Sequence, residues 1–259
     1  MLDPRTRGDS PIYDDIGRGY AGVRRPDPRI EAQLHAALSG AAPVLNVGAG
    51  AGSYEPTDRG VIAVDPSLTM IAQRPPDASA AVRAVAGSLP FPDRSFEGAM
   101  ALLTVHHWPE PLAGLRELRR VTTGPIVVLT FDPAVHAQQW LVTDYLPDMA
   151  TLDDHLPLPG EIAAALGGGT VEVVAVPHDC TDGFCHAWWR RPEAYLDPAV
   201  RAGISGIARL PTDSVRRGMA RLADDLARGA WVERHHDLLA RSDIDAGYRI
   251  VVSRSRRRA

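Results

Sequence analysis

The chain has 259 residues, 45% of them hydrophobic and 23% charged, and a formal net charge of −4. That length suits one α/β domain with an insertion, and the acidic balance argues against a general nucleic-acid binder, which needs a basic face to displace phosphate counterions. No apolar run approaches the roughly 20 residues of a bilayer crossing and no apolar signal core opens the chain, so a cytoplasmic protein without a membrane partner is expected.

In chain order, Tyr13-Asp14-Asp15-Ile16 and Tyr20 read as an arm crossing the surface of a core. Asp27-Pro28 then starts a helix with Ile30, Leu34, Ala37 and Leu38 at helical spacing, and Gly40 ends it. Five short apolar runs follow: Pro43–Val47, Val61–Asp65, Ala81–Val85, Gly98–Leu103 and Ile126–Phe131. Continuous rather than alternating apolar runs are what a parallel sheet covered on both faces requires. Glu110–Val121 supplies the clearest crossover helix, with Leu112, Leu115 and Leu118 as its stripe.

Two stretches interrupt the rhythm, about 132–160 and 182–243, and both are read as cap segments. Between them lie a helix near Glu161–Leu166 and a sixth strand, Thr170–Val176; Tyr248–Val252 is the last strand, followed by an arginine-rich tail ending at residue 259. The expected fold is α/β: a doubly wound, mostly parallel seven-stranded sheet of Rossmann-like form, with a helical cap inserted after strands 5 and 6. Its segments are 1–40 (arm and helix), 41–131 (cofactor-binding core), the two cap stretches, 161–181 (helix and strand 6) and 244–259 (strand 7 and tail).

The first strand runs into Gly48-Ala49-Gly50-Ala51-Gly52. Such a loop marks a close approach of backbone to a ligand, because a Cβ would occupy the ligand's volume. Asp65 closes the second strand, in position to accept hydrogen bonds from the hydroxyls of a ribose. Dinucleotide enzymes share both features, but only residues 53–60 separate Gly52 from the second strand, and Pro56 interrupts them. A full helix does not fit there. A dinucleotide needs that helix, because its N-terminus holds the pyrophosphate. S-adenosylmethionine (SAM) has no phosphate and tolerates the shortening.

Val44-Leu45-Asn46-Val47-Gly48-Ala49-Gly50-Ala51-Gly52 resembles the first motif of class I SAM-dependent methyltransferases. Ser88-Leu89-Pro90-Phe91-Pro92-Asp93, with Ser95-Phe96-Glu97 and His106-His107-Trp108, is similar to the signature of the ubiquinone/menaquinone-biosynthesis type of small-molecule methyltransferases. The resemblance covers roughly residues 40–131 and implies SAM as cofactor. It puts Gly48, Ala49 and Gly50 along the methionine portion, Asp65 on the ribose, and Pro66, Met70, Ser88 and Leu89 around the adenine. Leu103 and Thr104 would border the sulfonium, while Tyr13, Tyr20 and Arg24 would form a lid with Arg24 facing the SAM carboxylate. The chain departs from the family at Asn46, where Asp or Glu is usual, and in the short connection after Gly52.

Methyl transfer from a sulfonium is an in-line displacement that depends mainly on alignment, and a general base is needed only if the acceptor must lose a proton. Candidate bases are His106 and His107 after the fourth strand and His178 after the sixth. Trp140, Tyr145, Trp188, Trp189, Arg190 and Tyr195 are the aromatic and cationic candidates for a substrate pocket. Adjacent Trp residues point to different sides of a helix, so one of Trp188 and Trp189 is expected in the core. Cys180 and Cys185, with His178 and His186 nearby, could chelate zinc, but reduced thiols and no metal are the expectation. The fourth strand lacks a following Asn/Asp-Pro-Pro-Tyr segment, so the resemblance does not favour amide or base nitrogens as acceptors. A small-molecule methyltransferase is therefore expected; the rivals are a non-catalytic SAM-binding partner or regulatory protein and an NAD(P)-dependent oxidoreductase.

Overall fold

The computed structural model describes residues 24–254. Helix α1 (Pro28–Leu38) begins as its sequence dictates: Asp27 accepts the Arg29 N–H, Pro28 needs no partner for a missing N–H, and Ile30, Leu34 and Leu38 turn inward. Its last turn closes on Ser39 in the left-handed conformation, followed by Gly40.

The described residues form one seven-stranded sheet: β1 (Val44–Val47), β2 (Val61–Asp65), β3 (Ala81–Arg83), β4 (Gly98–Leu102), β5 (Ile126–Phe131), β6 (Thr170–Pro177) and β7 (Asp243–Ser253), in the order β3-β2-β1-β4-β5-β7-β6. The first five strands pair parallel, and β7 runs antiparallel between β5 and β6. Strand order reverses between β1 and β4, so the loops leaving these two strands flank a crevice at the carboxyl edge, where open α/β sheets bind ligands.

Both faces of the sheet are covered. Val44, Met100, Val127 and Leu129 pack with Ile30, Leu34 and Leu38 of α1 on one face. Leu45, Ala99, Ala101 and Val128 pack on the other face with Leu115, Leu118 and Val121, which belong to α3 (Pro111–Val121). The short helix α2 (Leu68–Ile71) follows β2, and no helix joins Gly52 to β2, as the connection length requires.

The strands depart from the sequence reading chiefly at β3 and β7. β3 stops at Arg83. β7 begins at Asp243 rather than Tyr248, because Asp243, Ile244 and Asp245 pair with the end of β6, beyond the reach of β5. β6 is a sheet edge, and Val171 and Val173 on it are exposed.

The two interrupting stretches share a third hydrophobic cluster. The first contributes α4 (Pro133–Ala137), a π-helical turn (Leu141–Tyr145) and a 3-10 turn (Pro147–Thr151); α5 (Pro159–Ala165) returns to the sheet. The second contributes α6 (Pro198–Ala202), α7 (Ser205–Ala208), α8 (Thr212–Arg228), α9 (Ala230–Arg234) and α10 (His236–Leu239). Trp140, Tyr145, Tyr195, Leu222 and Trp231 fill their shared interior. No helix among the described residues is long and apolar enough to cross a membrane.

α8 packs closely on the π-helical turn because it has no side chain at Gly218, where a Cβ would lie 2.4 Å from the Tyr145 carbonyl oxygen. Gly218→Ala must therefore push α8 off the π-helical turn. Urea unfolding should show a loss of about 1–3 kcal/mol, the usual cost of overpacking; an unchanged midpoint would contradict this packing.

Candidate cofactor and acceptor site

β1 ends at Val47, and the glycine loop turns with φ of 72°, 52° and 96° at Gly48, Gly50 and Gly52. These angles lie in the left-handed region that only glycine enters cheaply. The Gly48 and Ala49 N–H groups both donate to the Val64 carbonyl, at 2.8 and 3.0 Å, and tie the loop to β2. A Cβ on Gly48 would lie 1.9 Å from Thr104 Oγ1, so the residues just past β4 rest directly on the loop. Asp65 accepts the Gly50 N–H on one carboxylate oxygen and the Ser67 N–H on the other, both at 2.8 Å. A Cβ on Gly50 would lie 3.1 Å from the Met70 methyl.

Asn46 leads to a network that the sequence did not reveal. Its amide donates to Glu55 Oε1 at 2.9 Å, and Arg74 forks onto both Glu55 oxygens at 3.0 and 2.7 Å. Both charged side chains are almost wholly buried. The carboxylate that Asn46 lacks thus arrives from the short connection. Arg74 also braces the loop: a Cβ on Gly52 would lie 3.1 Å from its guanidinium.

Arg24, expected to face the SAM carboxylate, forks onto Asp182, with Nη2 at 3.1 Å from Oδ2 and Nε on Oδ1. Tyr54, at a φ of 64°, turns inward and donates to the same carboxylate at 2.9 Å. Burial and the Asp182 charge hold the Tyr54 hydroxyl well above its ordinary range, so it stays a donor. Asp182 gathers the start of the described chain, the glycine loop's exit and the loop after β6. Tyr13 and Tyr20 lie outside the described residues.

On the expected adenine side, Pro66 is half-buried, Ser88 is exposed and Leu89 is buried. The Leu89 N–H donates to Glu117 at 3.0 Å, and Arg120 donates to the Leu89 and Phe91 carbonyls. The Leu89-Pro90-Phe91 segment is therefore clamped to α3. Leu103 takes a positive φ of 51°, and Thr104 Oγ1 accepts the Trp108 indole N–H at 3.2 Å.

His106 and His107 follow at once on a 3-10 turn (Val105–His107), their rings 3.8 Å apart. Burial, reinforced by the charges of Arg209 and Arg24, pushes His107 down to about 3. Burial and the neighbouring His107 push His106 well below its usual value. Both rings are neutral and hold a proton weakly, which suits hydrogen bonding to an acceptor better than storing its proton. His106 Nδ1 is buried without a partner. Phe131 separates His106 from two further buried histidines, His136 and His186, with ring separations of 5.3 Å to His106 and 4.9 Å to His136. His136 lies on α4 in a stretch read as cap, so only the packing could reveal it.

His178 is not brought to this group. It follows the edge strand β6, three strands from β4, and its N–H donates to Ser242. The neighbouring Asp179 is engaged by Arg29 at 2.7 Å.

The aromatic candidates mostly hold the cap together. Trp140 donates to the Trp189 carbonyl at 2.9 Å, Trp189 to the carbonyls ending β6, and Tyr195 to the Cys185 carbonyl at 2.7 Å. Tyr145 donates to Asp225 beside a charged groove of about 560 Å³ lined also by Arg221, Arg228 and Arg234. Arg190 bonds the Arg241 carbonyl at the surface. Trp189 is the core member of its pair; Trp188 is half-buried under the Arg191 guanidinium, with its indole N–H unpartnered. Their placement follows from burial: long aromatic side chains in a cap with no sheet of its own become its core.

Two outcomes follow. Asp182→Ala removes the buried carboxylate that Arg24 and Tyr54 share, so unfolding free energy should fall by about 3–5 kcal/mol, the range for breaking a buried ion pair; no loss would contradict the Asp182 hub. His107 stays neutral in the folded chain down to about 3, whereas an unfolded histidine protonates near 6.5. The unfolded state therefore binds more protons below pH 6.5, and stability falls as pH drops from there towards 3. Denaturation midpoints of His107→Gln should fall less steeply with acid than those of the parent; parallel slopes would contradict this burial.

The glycine cradle, the carboxylate ending β2 and the lack of a pyrophosphate-binding helix all fit SAM. The chain's residues 45–124 match a family model described as a methyltransferase domain. A solved structure from Anabaena variabilis, described as a putative methyltransferase from an antibiotic biosynthesis pathway, is 32% identical and covers 89% of this chain and 98% of its own, with a TM-score of 0.83. The cyclase SpnF shares the fold at 16% identity over 94% of each chain, with a TM-score of 0.52. So does a possible histamine N-methyltransferase from Thermotoga maritima, at 20% identity over 63% of this chain and 84% of its own, with a TM-score of 0.50. No curated protein matches significantly. The chain belongs to the class I SAM-dependent methyltransferases, and its cofactor is S-adenosylmethionine.

Proposed function

We propose that this enzyme methylates a small-molecule acceptor held between the residues just past β4 and the cap. The observation that carries the reading is the sequence of contacts at β4: Thr104 rests on the glycine loop, and His106 and His107 follow within one turn. SAM supplies an activated methyl group on a sulfonium. Gly48, Ala49 and Gly50 would hold its methionine portion, Asp65 the ribose, and Pro66, Met70, Ser88 and Leu89 the adenine. Glu55 joins this set as the carboxylate beside Asn46.

The chain's own contribution is alignment and exclusion of water. His106 and His107 would orient the acceptor by hydrogen bonds. Their weak basicity favours an acceptor that arrives with a lone pair available, such as an amine or an ionised oxygen. Trp188 would offer its indole N–H and ring to a flat part of the same molecule. The description of the Anabaena variabilis relative supports a specialised metabolite as substrate. The fold likeness to SpnF keeps a second reading in view: chemistry other than methyl transfer on the same scaffold.

Calorimetry with S-adenosylhomocysteine tests the cofactor roles. Asp65→Ala should weaken binding by about 1–3 kcal/mol, the cost of an unmatched buried polar group; an unchanged Kd would mean the ribose lies elsewhere. Candidate metabolites incubated with methyl-labelled SAM should acquire label in the parent and much less in His107→Gln. Equal labelling by the two would remove His107 from the acceptor site.

A further inference from the structure

A group of metal-ligating side chains lies one phenylalanine ring away from the His106–His107 pair. One ligating atom from each of His136, Cys185 and His186 lies within 4.8 Å of the others. This is not the grouping that spacing suggested. Cys180 is buried in the first core cluster, and His178 is at the end of the edge strand.

Two further observations point to a ligand. His136 and His186 are 8% and 2% exposed, yet His136 Nδ1 and His186 Nε2 have no hydrogen-bond partner. A buried ring nitrogen without a partner costs stability unless something occupies its lone pair. The three residues are also fixed independently. The His136 N–H donates to Asp132 at 3.0 Å, against Gly247, where a Cβ would reach that nitrogen at 3.0 Å. Tyr195 holds the Cys185 carbonyl at 2.7 Å. Tyr248 takes the His186 N–H at 3.4 Å. Phe131 and Tyr248 wall the group with aromatic carbon.

We propose that His136, Cys185 and His186 bind a single divalent cation of the zinc type. Two imidazoles and a thiolate are the borderline-soft donors such an ion selects. Three protein ligands leave the fourth tetrahedral position to water or to a heteroatom of the acceptor, as in catalytic rather than structural sites. Binding forms a metal–sulfur bond, and the Cys185 thiol proton passes to solvent. The unpaired nitrogens then become ligands, which accounts for their burial.

Cobalt(II) tests this, because a thiolate ligand gives it an intense near-ultraviolet charge-transfer band. The full chain, stripped with a chelator and titrated anaerobically, should take up one cobalt(II) per chain with that band and with strong tetrahedral visible bands. An equal amount of zinc(II) should bleach both. Cys185→Ser should abolish the charge-transfer band, and Cys180→Ala should keep it. His136→Ala should weaken cobalt binding by more than the roughly 10–100-fold seen when only a second-shell partner is lost. Absence of the band from the parent chain would overturn the proposal whatever the variants do, and so would a band that survives Cys185→Ser.

Discussion

The site depends on a missing side chain. Gly48 carries no Cβ, and so Thr104 can sit where that atom would be. This contact fixes the distance between the loops leaving β1 and β4, the two strands where sheet order reverses. A crevice at such a switch point is a property of every open α/β sheet. Here the close approach sets the glycine loop against Thr104, with the two histidines one turn further along the chain.

Two buried ionic groups hold that geometry. Glu55 and Arg74 brace the loop from below through Asn46, and Asp182 ties Arg24 and Tyr54 to the loop after β6. Paired charges in such places confer position more than stability, since removing them from water offsets much of their attraction. The cost is consistent with a site that must hold a cofactor in one pose before the acceptor arrives.

The parts legible in the sequence were those with local causes. Apolar runs marked the strands, Asp27-Pro28 marked a helix start, and the short connection with Pro56 correctly excluded a helix after Gly52. The glycine loop and Asp65 lie within a few residues of strand ends and marked a cofactor site. The short connection after Gly52, with the signature from Leu89-Pro90-Phe91 to His107-Trp108, turned it to SAM. Long-range partners left no such trace. Glu55 and Arg74 are 19 residues apart, and Arg24 and Asp182 are 158 apart. The aromatic residues of the two interrupting stretches were read as candidates for a substrate pocket, since composition alone does not separate a binding surface from a small core. Packing does: Trp140, Trp189 and Tyr195 direct their polar atoms to backbone carbonyls.

The central claim is that the reacting centre lies between the glycine loop and the histidine pair. A crystal structure with S-adenosylhomocysteine tests it most directly. The account predicts the sulfur beside Leu103 and Thr104, with a cavity between it and the rings of His106 and His107. A sulfur facing away from that pair, or packed protein where the cavity should be, would contradict it.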